Sequence, residues 1–236
     1  MGLLDVIGPV MVGPSSSHTA GACRLARLAR HTVIGVPDTA RFTLHGSFAK
    51  TARGHGTDLA LVAGTLDATP DDPVIPEAFT AARAAGLAWS FHEADLGDVH
   101  PNTVRIELGA GDERVRVTGS SLGGGAVRVF DVDGFRIDFS GAHHTLLIRH
   151  LDTPGVIARV ARVIADDDVN IAALVCARRR RGGDAMMSIE VERPLSPPAL
   201  AYLEHLRYVH WLRLLPEVMH AEAEADAVGD AAGGTA

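Results

Sequence analysis

Residues 13–19 read Gly-Pro-Ser-Ser-Ser-His-Thr and lead directly into the first amphipathic run of the chain. Proline fixes its own φ and disfavours a helical conformation for the residue before it, so the chain should reach Ser15 in an extended form. The apolar residues that follow have helical spacing: Ala20, Ala22, Leu25, Ala26, Leu28 and Ala29. A helix is therefore predicted to begin near His18, with Ser16 or Ser17 as its N-cap.

The start of this helix is a candidate anion site. Free amides and partial positive charge at a helix N-terminus attract carboxylates and phosphates. His18 would stand beside the bound anion, where an imidazole titrates close to neutral pH. A serine-rich cap with an exposed histidine is the alternative interpretation. Three adjacent hydroxyl groups followed by a histidine favour a site, and the hydroxyl donors would be Ser15, Ser16, Ser17 and Thr19.

Composition limits the class of protein. The 236 residues, of which 47% are hydrophobic and 22% charged, are enough for two modest domains with buried cores. No apolar run is long enough to cross a bilayer, and the first ten residues lack the basic segment of a secretory signal. We therefore expect a cytoplasmic protein with no membrane contact. A net charge of −7 argues against a nucleic-acid partner, despite the arginine run at residues 178–181.

The hydrophobic pattern divides the chain into two domains, at residues 1–142 and 143–220, and a disordered tail at residues 221–236. The first domain is predicted to be α+β. Its helices are predicted at residues 2–7, 19–31, 57–66 and 77–85, and its strands at residues 41–45, 87–92, 103–108, 113–118, 127–132 and 135–139. The second domain shows the βαββαβ order of a ferredoxin-like fold. Its strands are predicted at residues 146–149, 171–177, 187–191 and 211–215.

Two further stretches are candidates for the site. The loop His100-Pro101-Asn102 carries an imidazole and a carboxamide, although a polar turn would look the same. The run at residues 120–125 ends in three glycines, and the amides of Gly123 and Gly124 could cradle an anion. A flexible hairpin is the alternative for that run.

Other residues are given structural interpretations. We interpret His45 and His55 as buried or solvated histidines rather than ligands. Arginines at every third position of the first helix indicate a solvated face or a subunit contact; these are Arg24, Arg27 and Arg30. Cys23 and Cys176 lie in different predicted elements without the spacing of a disulfide framework or a zinc site.

Several of these motifs resemble the beta subunit of the iron–sulfur-dependent L-serine dehydratases, which are L-serine ammonia-lyases. The resemblance rests on residues 4–21 and on shorter motifs in the family's order, at residues 46–49, 54–58, 99–103, 121–125 and 174–178. The second domain resembles an ACT domain, through residues 152–156 and 169–171. The resemblance implies an α+β fold in which a domain like the allosteric substrate-binding domain precedes a ferredoxin-like ACT domain.

The resemblance also implies the reaction, which is β-elimination of water from L-serine to give pyruvate and ammonia. It places His18, His100 and Asn102 in the catalytic site. It gives substrate binding to Ser15, Ser16, Ser17, Thr19, Gly123 and Gly124. His18 and His100 are a candidate acid–base pair.

The implied cofactor is a [4Fe-4S] cluster, with an iron that binds the serine hydroxyl as a Lewis acid. Such a cluster normally takes four thiolates, and this chain has two cysteines. Most ligands should therefore come from an iron–sulfur alpha subunit, in a heterodimer or a larger assembly. We predict no metal ligand in this chain.

In the ACT half, the resemblance implies a site for a small amino-acid effector, formed where Asp152, Gly155 and Val156 meet Asn170. A purely structural dimerisation module is the alternative for this domain. The whole chain could also be a non-catalytic amino-acid sensor, because its first domain resembles the substrate-sensing domain of some phosphoglycerate dehydrogenases.

Two other enzyme classes are disfavoured. Residues 47–50, which end in the single lysine Lys50, superficially resemble the lysine motif of a pyridoxal-phosphate dehydratase. The catalytic domain of that class needs far more than about 140 residues. A serine hydrolase is disfavoured because Ser17 and His18 are adjacent at a helix start and the chain contains no nucleophile elbow.

Overall fold

The computed structural model describes residues 11–52 and 54–219, so the predicted helix at residues 2–7 and the predicted disordered tail lie outside the described residues. A π-helical turn, Ser16–Ala20, continues into the first of six α-helices. The helices are α1 (Gly21–Arg30), α2 (Gly46–Thr51), α3 (Thr57–Thr65), α4 (Ala78–Ala84), α5 (Val156–Asp166) and α6 (Pro197–Glu204). Within the described residues, no helix is long and apolar enough to cross a membrane.

In the part of the chain that the structure describes, ten strands form two sheets, which gives the α+β architecture that the sequence predicts. The strands are β1 (Thr39–Leu44), β2 (Ala88–Glu93), β3 (Thr103–Ala110), β4 (Glu113–Gly123), β5 (Ala126–Val132), β6 (Phe135–Phe139), β7 (His144–Leu151), β8 (Ile171–Arg178), β9 (Asp184–Val191) and β10 (Val209–Leu215). The first sheet has the order β2-β1-β3-β4-β5-β6, and the second has the order β10-β7-β9-β8.

The two faces of the first sheet differ because side chains alternate along each strand. Phe42, Ile106 and Val117 are paired across β1, β3 and β4, are buried, and belong to one core with residues of α1 and α3. The next row of the same strands carries Arg41 and Glu107, with Arg116 of β4 paired to Glu107, on the opposite face. The sheet therefore packs helices on one face and presents charged groups on the other.

Strand β4 extends five residues beyond the predicted end at Thr118, so the serines of the glycine run lie in the strand and the turn of the β4–β5 hairpin follows at Gly124 and Gly125. Ser120 and Ser121 are buried within the strand, and the Ser120 hydroxyl lies 2.6 Å from the Thr103 hydroxyl. Serine and glycine are poor strand formers, but here the packing decides. A Cβ on Gly119 would lie 2.7 Å from Leu25 Cδ2, so the glycine lets α1 approach the strand.

The arginines of α1 do not form a solvated face. Arg24 is only 2% exposed, and its Nη1 donates a hydrogen bond of 2.8 Å to the carbonyl oxygen of Gly125. Arg27 donates from Nε to Asp67 at 2.9 Å. Through these hydrogen bonds, Arg24 links α1 to the β4–β5 hairpin and Arg27 links it to the segment after α3.

The second domain has the ferredoxin-like topology that the sequence predicts, with α5 and α6 packed on one face of its sheet. Ile148 and Ile189 of the sheet are buried in one cluster with Val160 of α5. The other face presents Leu147 and Met186, which belong to the core of the first domain. The two domains therefore share a continuous apolar interface.

Residues 152–156 and Asn170, the predicted effector site, do not meet within one chain. Strands β7 and β8 run in the same direction on either side of β9, so the end of β7 and the start of β8 lie at opposite ends of the sheet. Leu151 pairs with Asp184, whereas Ile171 pairs with Val191. Seven residues of strand separate these positions, which is about 20 Å.

Each half of that predicted effector site has other partners in the chain. The Asp152 carboxylate accepts hydrogen bonds of 3.0 Å from Arg178 and from the Gly182 amide. The Asn170 carboxamide donates to Glu192 at 3.0 Å. Gly155, in a left-handed conformation, is the N-cap of α5, and Val156 is buried in its first turn.

Glu113, at the start of β4, is a carboxylate shared by the two domains. It accepts hydrogen bonds from the Ile34 amide at 2.9 Å and from the Trp211 indole at 3.0 Å, and it forms an ion pair with Arg213. Burial acts to raise the pKa of Glu113, but these donors and the arginine charge outweigh it and leave the pKa lowered.

Replacing Glu113 by glutamine is expected to lower the free energy of unfolding at pH 7 by about 2 kcal/mol, since hydrogen bonds to charged groups contribute about that much. A lowered pKa in the folded state gives stability that is present above the unfolded-state pKa and is lost as pH falls through the folded-state value. The difference between the two proteins in urea unfolding should therefore shrink below about pH 4. Glu107→Gln is the control, because its pairing with Arg41 is long at 3.7 Å and exposed. An equal loss in both variants would contradict the prediction.

Candidate functional site

The candidate site begins at the N-terminus of the first helix. Ser15 is the N-cap, in place of the predicted Ser16 or Ser17, and its extended backbone places Oγ where it accepts the His18 amide at 3.2 Å. The first turn is π-helical, and the Gly21 amide bonds back to the Ser16 carbonyl. Such turns inside helices often occur at functional sites.

The His18 imidazole lies at the centre of this region and both of its nitrogens face hydroxyl groups. Nε2 is 3.0 Å from Ser47 Oγ, and Nδ1 is 3.3 Å from Ser15 Oγ. Because Ser15 Oγ already accepts the His18 amide, its own proton is available to Nδ1. In that arrangement Nε2 carries the ring proton and donates to Ser47.

Two aromatic rings surround His18. His55 meets it edge-on with ring centroids 4.9 Å apart, and Phe48 does so at 5.5 Å. Burial lowers the pKa of His18 below its usual 6.5, and the nearby His55 lowers it further. The imidazole is therefore neutral at pH 7 and able to accept a proton.

Ser47 is positioned by a close contact between α2 and the loop that contains His100. Gly46 begins α2 with φ of +57°, and a Cβ there would lie 2.6 Å from the Pro101 carbonyl oxygen. The Ser47 amide donates to that same oxygen at 2.8 Å. The loop thus fixes the residue that contacts His18 Nε2.

His100 and Asn102 border the site without touching His18. His100 is exposed, and its Nδ1 accepts the Asn102 amide at 3.1 Å. The Asn102 carbonyl accepts the Ser121 amide at 2.9 Å, which ties the loop to β4. Among the described residues, the imidazole that contacts His18 is that of His55 and not that of His100, so the predicted pairing of His18 with His100 is not supported by a direct contact.

The predicted substrate-binding residues fall into two groups. Thr19 is buried, and its hydroxyl donates to the His55 carbonyl at 3.0 Å, so it positions His55 and is not free to bind substrate. Ser16 and Ser17 are half-buried. Ser17 Oγ faces the hairpin, 3.9 Å from the position of a Cβ on Gly123. Gly124 has φ of +59° and open space around it.

His55 is a functional candidate that the sequence pattern alone did not single out. Its Nδ1 is buried and has no hydrogen-bond partner among the residues that the structure describes. Gly54 and Gly56 flank it, and Gly56 has φ of +68° where the chain turns into α3. The sequence feature that could have identified His55 is its place between two glycines in residues 54–58, one of the motifs shared with the dehydratase family.

The cysteines of this chain do not fit as ligands of an iron–sulfur cluster. Cys23 is buried, its thiol donates to the Ala68 carbonyl at 3.2 Å, and burial raises its pKa to about 12. Cluster ligands are thiolates, so such a thiol is a poor ligand. Cys176 lies on β8 in the other domain, and burial raises its pKa as well. No group of three or more potential metal ligands occurs in the described part of the chain.

Comparison with known proteins identifies both halves of the chain. Residues 4–88 match the family model of the serine dehydratase beta chain, and residues 144–201 match that of the ACT domain. Over 157 residues the chain is also 28% identical to a D-3-phosphoglycerate dehydrogenase of Bacillus subtilis, covering 66% of this chain and 30% of that protein.

Two relatives align over most of their length. The L-serine dehydratase beta chain of Peptoniphilus asaccharolyticus is 41% identical over 194 residues, which cover 81% of this chain and 87% of the relative. A probable L-serine dehydratase beta chain of Bacillus subtilis is 40% identical over 204 residues, which cover 86% and 93%. On this similarity over most of its length, the chain belongs to the family of L-serine dehydratase beta chains.

Proposed function

We propose that this chain is the beta subunit of a heteromeric iron–sulfur L-serine ammonia-lyase, which converts L-serine to pyruvate and ammonia. The observation that carries the proposal is the setting of His18. A neutral imidazole with a lowered pKa stands at a helix N-terminus, between two hydroxyl groups and a second imidazole. This arrangement suits an anionic substrate from which a proton must be removed.

The first turn of the helix would bind the substrate carboxylate. Ser16 and Ser17 are half-buried with hydroxyls that make no hydrogen bond to other described residues, and the first-turn amides carry partial positive charge. Gly123 and Gly124 border this turn from the hairpin side, where the lack of side chains leaves room for a ligand. The carboxylate would thus lie next to the His18 ring.

Proton removal is the step that we assign to an imidazole. A neutral His18 takes the Cα proton of serine on Nδ1 once the Ser15 hydroxyl has turned away from that nitrogen, and the hydroxyl oxygen of Ser47 stabilises the charged ring through Nε2. The electron pair of the broken C–H bond forms the Cα–Cβ double bond as the Cβ–O bond breaks, and the hydroxyl leaves as water after taking up a proton. The aminoacrylate tautomerises to an imine, which hydrolyses to pyruvate and ammonia. His55 and His100 are the other candidates for this role and for the proton given to the hydroxyl.

We assign the [4Fe-4S] cluster to an alpha subunit, because the cysteines described here do not fit as its ligands.

The test is to compare the isolated chain with the complex formed by coexpression with a cysteine-containing alpha subunit, both purified without oxygen. We expect the isolated chain to be colourless, to retain no iron after reconstitution with iron and sulfide, and to form no pyruvate from L-serine. The complex should be brown and active. A stable brown product with full serine-deaminating activity from the isolated chain would refute the assignment of the cluster to a partner.

The proposal includes an amino-acid effector of the ACT domain, which would bind between the ACT domains of two copies of the chain. Strand β8 is an edge of its sheet, so its outer backbone groups are open to pairing with another strand. A second copy paired there in the antiparallel sense would bring its residues 152–156 towards Asn170 of the first. The similarity to phosphoglycerate dehydrogenases supports an alternative, in which the chain is an amino-acid sensor without catalysis. This alternative predicts that loss of His18 changes binding but no reaction.

A further inference from the structure

A cleft of about 750 Å³ lies on the charged face of the first sheet, away from His18, where that face meets the ACT domain. Five arginines line it, Arg41, Arg114 and Arg116 from the sheet and Arg149 and Arg179 from the ACT domain, against two carboxylates, Glu107 and Asp133. Guanidinium groups stay charged at every physiological pH. The cleft is therefore locally positive in a chain whose net charge is −7.

Three of these arginines have partners in the protein that hold them in place. Arg149 pairs with Asp184 at 2.9 Å. Arg179 donates to the Asp133 carbonyl and lies over the Phe135 ring, 4.5 Å from its centroid. Arg114 donates to backbone carbonyls at the β3–β4 turn.

Arg116 differs from these three. Its guanidinium makes no hydrogen bond or ion pair with any residue that the structure describes, although it is half-buried. Its Nη2 and that of Arg179 lie 3.4 and 3.8 Å from the same point, the position of a Cβ on Gly134. The two nitrogens are therefore at most about 7 Å apart, and two positive charges at such a separation repel each other unless an anion offsets them. Arg41, on the other side of the cleft, makes among the described residues only the long contact of 3.7 Å with Glu107.

The positive surface continues beyond the cleft. Arg116 also lines a neighbouring depression, together with Arg105 and Arg136. Arg105 Nε is buried without a hydrogen-bond partner among the described residues. The cost of an unpaired buried donor is offset when a ligand accepts its hydrogen bond. Asp98 and Asp131 line the same depression and limit the positive charge there.

We propose that this cleft binds a small polyanion that carries phosphate groups, at the junction of the two domains. The planar fork of guanidinium matches phosphate oxygens, and several arginines around one volume require a ligand with more than one negative charge. The volume lies in the range of small-molecule sites, and Trp89 supplies an aromatic wall. Because both domains contribute arginines, a bound anion stabilises their docking. This inference does not depend on the proposed enzymatic function.

The test is calorimetric titration of the full chain with pyrophosphate, with inorganic phosphate and citrate as comparison ligands. We expect pyrophosphate to bind more tightly than either, and its affinity to fall with added salt. Arg116→Gln and Arg41→Gln should weaken it at least tenfold. Arg162→Gln is the matched control, since this arginine is on α5 with its side chain 75% exposed, and it should bind as the native chain does.

A second measurement, of thermal unfolding, shows whether weaker binding by Arg116→Gln is due to a folding defect. Saturating pyrophosphate should raise the midpoint of thermal unfolding of the native chain and of Arg162→Gln by clearly more than that of either cleft variant. Arg41 is exposed, so Arg41→Gln keeps the test valid if Arg116→Gln does not fold. The proposal is overturned by a dissociation constant weaker than about 1 mM, by unchanged binding in a folded cleft variant, or by citrate that binds more tightly than pyrophosphate.

Discussion

Replacing His18 by alanine in the assembled enzyme is expected to lower the turnover number by about 10²- to 10⁴-fold, which is the usual contribution of a general acid–base group. The structure gives the physical reason. The ring is neutral because burial and His55 lower its pKa, and Ser15 and Ser47 hold both nitrogens at 3.3 and 3.0 Å. Pyruvate formation from L-serine at saturating substrate measures the effect.

The pH profile is a second readout of the same role. A base whose pKa is lowered stays unprotonated to lower pH, so the acid limb of kcat/KM should lie below the ordinary histidine value of about 6.5 and should be absent in His18→Ala. A purely structural histidine would leave this limb unchanged.

Ser16→Ala is the matched variant in the same turn. A residue that holds the carboxylate binds substrate and transition state alike, so its loss should raise KM and leave kcat nearly unchanged. Near-native turnover in His18→Ala, with only a lower melting temperature, would contradict the catalytic assignment. It would transfer the role to His55, His100 or the partner chain, and those variants in the same assay would distinguish them.

Element types were predictable from the sequence because they depend on local spacing. The alternation in β6 predicts a strand at residues 135–139, and the structure has Phe135–Phe139. The apolar spacing after Gly155 likewise predicts α5, whose buried positions are Val156, Val160 and Ile164. In both elements the residues that form the apolar pattern in the sequence are the residues that are buried in the structure.

Contacts between distant segments were not predictable in this way. The burial of Arg24 depends on the Gly125 carbonyl, one hundred and one positions along the chain. The separation of Asp152 from Asn170 within one chain has the same origin, because strand order and direction decide which strand ends meet. His55 was missed because its contact with His18 arises only when the turn before α3 packs against the start of the first helix. The serine turn itself was found because its hydroxyls and imidazole are adjacent in sequence.

Replacing Gly46 by alanine is expected to cost about 3 kcal/mol of the free energy of unfolding. Part of this, about 1 to 2 kcal/mol, is the penalty for a Cβ in the left-handed conformation at φ of +57°. The rest is overpacking, because the Cβ would lie 2.6 Å from the oxygen and 2.9 Å from the Cα of Pro101. These are backbone atoms, so no side-chain rotation relieves the contact. Urea unfolding of the full chain measures the loss.

Gly86→Ala separates the two contributions. Gly86 has φ of +75° with no atom within 4 Å of the added Cβ, so its replacement should cost only the conformational penalty of about 1 kcal/mol. It lies far along the chain from Ser47 and should leave activity intact. Equal losses in the two variants would show that Pro101 yields to the new Cβ.

The Gly46→Ala variant should lose activity as well as stability, and the reason is geometric. Relief of the contact requires the loop at residues 100–102 to separate from α2, which breaks the bond of 2.8 Å from the Ser47 amide to Pro101. Ser47 Oγ then moves from His18 Nε2, and a misplacement of about 1 Å in a catalytic group can cost about 10²-fold in rate. We therefore expect turnover in the assembled, folded Gly46→Ala enzyme to fall by about 10-fold or more. Native turnover in that variant would show that the contact of Ser47 with His18 does not serve the reaction.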